Sequence, residues 1–189
     1  MIQKMTSTAE RQPEGKEEDG EAESFDIPIE TGISAEFSLT DASWKPMFSA
    51  LNKDHLAEVI RLALIEGEFH ERPVEIAVLL GDDRQMADLN QQFRDKAEPT
   101  NVLSFPAADT GAHLGDIAMG FGIVASEAKE SGKPIADHFL HLLAHGVLHL
   151  LGYDHISDND AEEMETTERR ILAAIDIADP YQSQPVDRA

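Results

Sequence analysis

The most informative stretch of this chain is His145-Gly-Val-Leu-His149-Leu-Leu-Gly152-Tyr-Asp-His155. On an α-helix, His145 and His149 lie one turn apart on the same face, so both imidazoles can reach one metal ion. Gly152 can end that helix in a left-handed cap and turn the chain back, which brings His155 toward the same ion. Three nitrogen donors with one open position are typical of a catalytic zinc site. The stretch therefore predicts a site for one zinc ion, although three imidazoles also suit nickel, copper or cobalt.

The helix that carries this motif is predicted over residues 135–151, and it is apolar around much of its circumference, which indicates burial. His138 and His141 lie on the same face, roughly 10 Å and 6 Å below His145, too far along the helix to be ligands. They either orient other groups in the cleft or are ordinary core histidines, and the sequence leaves both roles open. Asp154 is predicted to cap a turn or to fix an imidazole tautomer, and Asp116 has the same alternatives.

The order of the remaining elements predicts an α+β fold with a small mixed sheet and helices on both sides. A buried strand is predicted over residues 74–80, and further strands are predicted over residues 100–106 and 115–120. An edge strand is predicted around Phe25 to Ile29, where Pro28 is tolerated. One long or two short helices are predicted over residues 44–65, and further helices are predicted over residues 83–93 and 123–131. A last helix is predicted to begin at Ser157 or Asp158.

Composition predicts one domain with tails and weighs against some functions. Residues 1–24 carry seven acids against three bases and no apolar period, which predicts a disordered acidic extension before a domain over residues 25–178. Residues 179–189 are predicted to be a flexible tail. The net charge of −22 argues against a broad basic surface for nucleic acid. The absence of cysteine excludes disulfides and thiolate metal sites.

A second informative run joins a helix end to a strand: Leu89-Asn-Gln-Gln-Phe-Arg94-Asp-Lys96-Ala-Glu-Pro-Thr-Asn-Val-Leu-Ser-Phe-Pro106. Arg94 and Lys96 are cations in an acidic protein, and arginine suits bidentate recognition of phosphate. The alternative explanation is that both residues are ordinary charges that offset the dipole at a helix C-terminus. Composition by itself favours this second explanation over phosphate recognition.

The histidine spacing matches that of metzincin proteases with one departure. In those enzymes a catalytic glutamate follows the first histidine, whereas Gly146 stands at that position here. Because that carboxylate is the general base of the proteases, its absence argues against simple proteolysis. The metal then serves to activate water and to polarise a phosphoryl or carbonyl oxygen.

The two runs together resemble the YbeY family of bacterial endoribonucleases, through LNQQFRDKAEPTNVLSFP, GDIAMG and HGVLHLLGYDH. The resemblance implies a zincin-like fold, a divalent metal, usually zinc, on His145, His149 and His155, and an RNA backbone contact by Arg94. It also implies a cytoplasmic role in small-subunit rRNA end maturation and ribosome quality control, with RNA and the ribosome as partners, and neither DNA nor a membrane. The family loop usually reads Lys-Asp-Lys-Pro-Thr, whereas Glu98 replaces the second lysine here. We therefore expect weaker or more salt-sensitive RNA binding by this loop.

Three hypotheses follow. In the first, the chain is a metal-dependent endoribonuclease in which Arg94 is a catalytic group that neutralises the phosphate oxygens and binds substrate together with Lys96. In the second, it hydrolyses a peptide or amide, with Asp116 or Asp154 as the base. In the third, the metal is structural and the chain is a ribosome-assembly adaptor.

Overall fold

A computed structural model describes residues 22–70, 73–108 and 111–182 as an α+β fold. Five strands form one mixed sheet in the order β1-β2-β3-β5-β4. The strands are β1 Glu23–Glu30, β2 Ile33–Leu39, β3 Val74–Gly81, β4 Val102–Pro106 and β5 His113–Gly120. After a short 3-10 turn at Ala42–Trp44, the helices are α1 Lys45–Ala50, α2 Lys53–Glu66, α3 Asp83–Arg94, α4 Phe121–Glu130, α5 Ile135–Leu150 and α6 Asp158–Ala173.

The sheet is mixed, as the sequence predicts. Strands β2, β3 and β5 are parallel, while β1 and β4 run antiparallel at the two edges. Strand β2 was not predicted from the sequence. Its buried residues alternate with partly exposed serine and glutamate, but Ala35 stands where a larger apolar residue would have marked the period.

Helices cover both faces of the sheet, but unequally. The larger core lies between one face and helices α1, α2, α4, α5 and α6. The other face carries a small core of Leu79, Met86, Leu89, Leu103 and Ala118 under α3. Helix α5 is central, since it contacts β4, β5, α2, α4 and α6. No helix in the described ranges is long and apolar enough to cross a membrane.

Regular contacts continue past the predicted domain bounds of residues 25 and 178. Strand β1 begins at Glu23, where it pairs with Leu39 of β2. Residues 179–182, predicted as flexible, pack on α6, where Arg169 lies 4.7 Å from the ring of Tyr181. Most of the predicted extension and tail, residues 1–21 and 183–189, lies outside the described residues.

Candidate metal centre

The predicted helix and its cap are both present. Helix α5 ends at Leu150, and Gly152 adopts φ +93°, the left-handed conformation that glycine tolerates best. The amide of Tyr153 donates to the carbonyl of Leu148 at 3.1 Å, which closes the helix end. The chain then reverses and returns His155 to the helix face that carries the other two histidines.

The three histidines converge on one point. One ring nitrogen from each of His145, His149 and His155 lies within 4.8 Å of the others. The Nε2 atoms of His145 and His149 are 3.0 Å apart. His155 is exposed while the other two are half-buried, so the cluster opens to solvent on one side. The three nitrogens therefore form a possible site for one metal ion beside solvent.

Hydrogen bonds fix the tautomers of the two helical histidines. The Nδ1 atom of His145 lies 2.7 Å from Oε1 of Glu168, and Nδ1 of His149 lies 2.9 Å from the carbonyl oxygen of Tyr153. A carboxylate and a carbonyl only accept, so both Nδ1 atoms carry the proton. In the neutral imidazole, Nε2 of each ring then carries the lone pair that a metal ligand requires.

Glu168 is the residue that sequence reasoning missed. Its side chain is 0% exposed, and its second oxygen accepts a hydrogen bond from Nε2 of His141 at 2.9 Å. A signal was available in α6, where the buried positions Met164, Thr167, Glu168, Ile171 and Leu172 follow the helical period. A carboxylate within a buried stripe needs partners, and the histidines of the neighbouring helix supply them.

The ionisation of these groups follows from their surroundings. Burial by itself would raise the pKa of Glu168, but hydrogen bonds from His141 and His145 outweigh it and lower the pKa to about 2. Burial lowers the pKa of His149, and the nearby charge of His145 adds to this effect. At neutral pH, Glu168 is thus an anion and His149 a neutral donor.

The two histidines lower on α5 have partners other than the cluster. His141 bonds to Glu168, so it orients another group, one of the two roles the sequence left open. His138 lies 2.9 Å from Glu127 through Nε2, and its buried Nδ1 has no partner among the described residues.

Of the two carboxylates considered as alternative bases, Asp116 faces away from the cluster, whereas Asp154 lies in the turn beside His155. Asp116 bonds to His113, and its neighbour Ile117 packs toward Gly146 of α5, so Asp116 faces the opposite side of the sheet. Asp154 accepts the amide of His155 at 2.7 Å, which is the turn role. Gly146, at the position of the protease glutamate, lies against β4 and β5, where its carbonyl accepts the hydroxyl of Ser104 at 3.2 Å.

Arg94 and Lys96 lie across strand β4 from the histidines. Arg94 is the last residue of α3, and the left-handed Asp95 ends the helix. The preceding ring of Phe93 packs edge-on against Phe105 of β4 at 4.9 Å. Arg94 and Lys96 are exposed.

Strand β4 links these cations to the histidine cluster. Phe105 pairs with Asp116 next to Gly115 on β5, and Gly115 packs against Leu150 at the end of α5. The C-terminus of α3 and the histidine end of α5 therefore lie near the same end of strand β4, on opposite faces of the sheet.

Most cations in the described chain are paired, but these two are not. Four lysines and arginines make no side-chain hydrogen bond, ion pair or ring contact within the described ranges: Arg84, Arg94, Lys96 and Lys129. Three of the four lie on α3 or in the loop that follows it. The charges of Arg94 and Lys96 are therefore available to an anionic ligand.

Sequence comparison matches the chain to one protein family. The sequence model of the family described as Endoribonuclease YbeY matches residues 40–176. Proteins named endoribonuclease YbeY are similar to this chain in Maricaulis maris (44% identical, 76% of this chain and 89% of that protein), Dinoroseobacter shibae (39%, 81% and 93%) and Paracoccus denitrificans (42%, 84% and 96%). The solution structure of TM1509 from Thermotoga maritima matches at 25% identity with a TM-score of 0.47, over 79% of this chain and 99% of that chain. The family match includes the three histidines, Arg94 and Glu168, whereas Tyr181 lies beyond it.

Proposed function

Because the chain belongs to the endoribonuclease YbeY family, we propose that it is a zincin-like, metal-dependent hydrolase that cleaves single-stranded RNA in rRNA maturation. The observation that carries this proposal is the convergence of three histidine nitrogens within 4.8 Å beside solvent. The proposal is further supported by Arg94 and Lys96, unpaired cations near the same strand end as this cluster, which offer their charge to an RNA phosphate.

We assign one zinc ion to His145, His149 and His155. Two ligands of a tetrahedral zinc with Zn–N bonds of about 2.0–2.1 Å lie roughly 3.3 Å apart, and the two Nε2 atoms of α5 lie 3.0 Å apart. The separation of the two nitrogens is thus close to that of two zinc ligands, and the chemistry of the donor set fits the ion. When bound, such an ion supplies Lewis acidity and a water nucleophile at neutral pH.

The substrate side of the site is assigned to α3 and its loop. Arg94 offers a guanidinium to the phosphate oxygens, where it would neutralise the charge that develops during cleavage, and Lys96 adds a second cation. Phe93 is 37% exposed next to Arg94. An exposed ring beside cations suits a splayed base and its phosphate, which favours single-stranded over duplex RNA.

The overall charge bears on where the enzyme acts. A net charge of −22 repels RNA at long range, so local cations have to compensate. We therefore propose that recognition depends on the assembled small ribosomal subunit in the cytoplasm, which would present the RNA already positioned.

The test is cleavage of a labelled small-subunit rRNA precursor, free and within ribosomal subunits. Wild-type protein is compared with His149→Ala, with chelator-treated protein, and with His70→Ala as a matched control at an exposed histidine. We expect loss of cleavage in the first two and full activity in His70→Ala. Activity retained by His149→Ala refutes the assignment, and absence of cleavage in every sample on both substrates favours the assembly-adaptor role.

Product ends decide the reaction path. A product that ends in a 2′,3′-cyclic phosphate indicates attack by the RNA 2′-OH. A product that ends in a 3′-hydroxyl, with the phosphate on the 5′ end of the other product, indicates attack by water. Arg94 neutralises the phosphate in either path, so Arg94→Gln should slow both without changing the ends.

A further inference from the structure

The segment Asp179-Pro-Tyr-Gln182 contacts Glu168 and His141 beside the metal centre. It lies beyond the region that the family model matches. It is held on α6 and on the loop before α5 by two cations. Nε of Arg169 lies 3.4 Å from Oδ1 of Asp179, and Nζ of Lys133 donates to the carbonyl of Pro180. The guanidinium of Arg169 also lies over the ring of Tyr181. These contacts hold the Tyr181 hydroxyl at one place.

That place is the buried carboxylate of Glu168. The Tyr181 hydroxyl donates to Oε2 of Glu168, and its ring packs edge-on against His141 at 5.6 Å. Oε1 of the same carboxylate accepts the Nδ1 proton of His145. A continuous hydrogen-bonded chain therefore runs from Tyr181 through Glu168 to a proposed metal ligand.

We infer that Tyr181 is a positioning residue that completes the metal centre by fixing Glu168, and through it the orientation of His145. The inference rests on the proposed three-histidine site. An imidazole ligates well when its other nitrogen donates to a fixed acceptor, and loss of such an acceptor typically costs about 10–100-fold in metal affinity. Without Tyr181, Glu168 keeps His141 and His145 but loses its third donor and one of the contacts that hold its rotamer.

The test measures zinc affinity by competition with a chromophoric chelator. We expect Tyr181→Phe, which keeps the ring, to weaken zinc binding by roughly three- to tenfold, and Glu168→Gln by about 10–100-fold. Because the effect passes through the carboxylate, Tyr181→Phe should add nothing in the Glu168→Gln background. A merely structural role would give additive effects and the same loss in both backgrounds.

The arginines of α6 give a matched pair of controls. Arg169→Gln removes the anchor of the segment and should weaken zinc binding in the same direction as Tyr181→Phe. Arg170→Gln changes the neighbouring arginine, which pairs with Glu66 at 3.5 Å instead, and should leave zinc affinity unchanged. The absorption spectrum of the cobalt-substituted protein should shift in Tyr181→Phe if the orientation of His145 changes.

Outcomes separate this inference from the proposed function. Wild-type protein that binds no zinc overturns the metal site and the inference with it. Stoichiometric binding by wild type with equal affinity in Tyr181→Phe, or additive losses in the double variant, overturns the role of Tyr181 and leaves the proposed nuclease intact.

Discussion

Replacement of Arg94 by glutamine should weaken RNA binding while leaving the fold unchanged. Arg94 is exposed and makes no ion pair in the described ranges, so its loss should change the free energy of unfolding by no more than about 0.5 kcal/mol. A charge-assisted contact to phosphate at an exposed site is worth about 1–2 kcal/mol, which corresponds to a roughly 5- to 30-fold weaker Kd.

The salt dependence gives a second, sharper number. Each phosphate contact to single-stranded RNA contributes about 0.7 to the slope of log K against log salt concentration. Arg94→Gln should therefore reduce that slope by about 0.7, and the double variant with Lys96→Gln by about 1.4. Arg84→Gln is the matched control, because it removes an equally unpaired arginine from the same helix about 15 Å away.

The assay is fluorescence anisotropy of a labelled single-stranded RNA, titrated at several salt concentrations with chelator present so that no cleavage occurs. Urea unfolding of each variant checks the fold. The reasoning is refuted if Arg94→Gln keeps the wild-type slope, or if Arg84→Gln lowers the slope equally. In that case Arg94 only offsets the helix dipole, the alternative that the sequence left open.

Three further outcomes are expected. The metal-free protein should lose stability as pH falls through 6.5. Burial lowers the pKa of His138 and His149 in the folded protein, so the unfolded chain binds more protons in that range. Equal urea midpoints at about pH 7.5 and 5.5 would contradict this prediction. Phe93→Leu should weaken RNA binding by about 1–3 kcal/mol without changing the salt slope, and a changed slope in the anisotropy assay would argue against base stacking. Gly146→Val should lower the free energy of unfolding in urea by about 1–3 kcal/mol, since a Cβ there lies 3.0 Å from Ile117 Cδ1. Adding Ile117→Val, which removes that Cδ1, should restore part of the loss. Undiminished stability of Gly146→Val would show that the helix and the sheet move apart there.

Local patterns predicted most elements to within about two residues. Strand β3 and helix α3 are where continuous apolar runs and the Asp82 cap place them, because these signals act within one turn or one strand. Strand β2 was missed because its alternating apolar residues include only three large side chains, too weak a signal before its pairing partners are known. Strand pairing at Glu23 and the anchoring of Tyr181 lie outside the predicted domain of residues 25–178, and both depend on residues far away in sequence.

The sequence by itself determined the three-histidine cluster, because a helical i, i+4 pair and a glycine turn are local geometry and need no knowledge of the rest of the fold. Only the tertiary structure decided what surrounds that cluster. Glu168 reaches His145 from 23 residues away along the chain, and Asp116 is turned to the far side of the sheet by strand alternation. The packing of α6 on α5 brings Glu168 to His145, and the packing of α5 on the sheet decides which side of the sheet faces the cluster. The spacing of residues along the sequence does not predict those contacts.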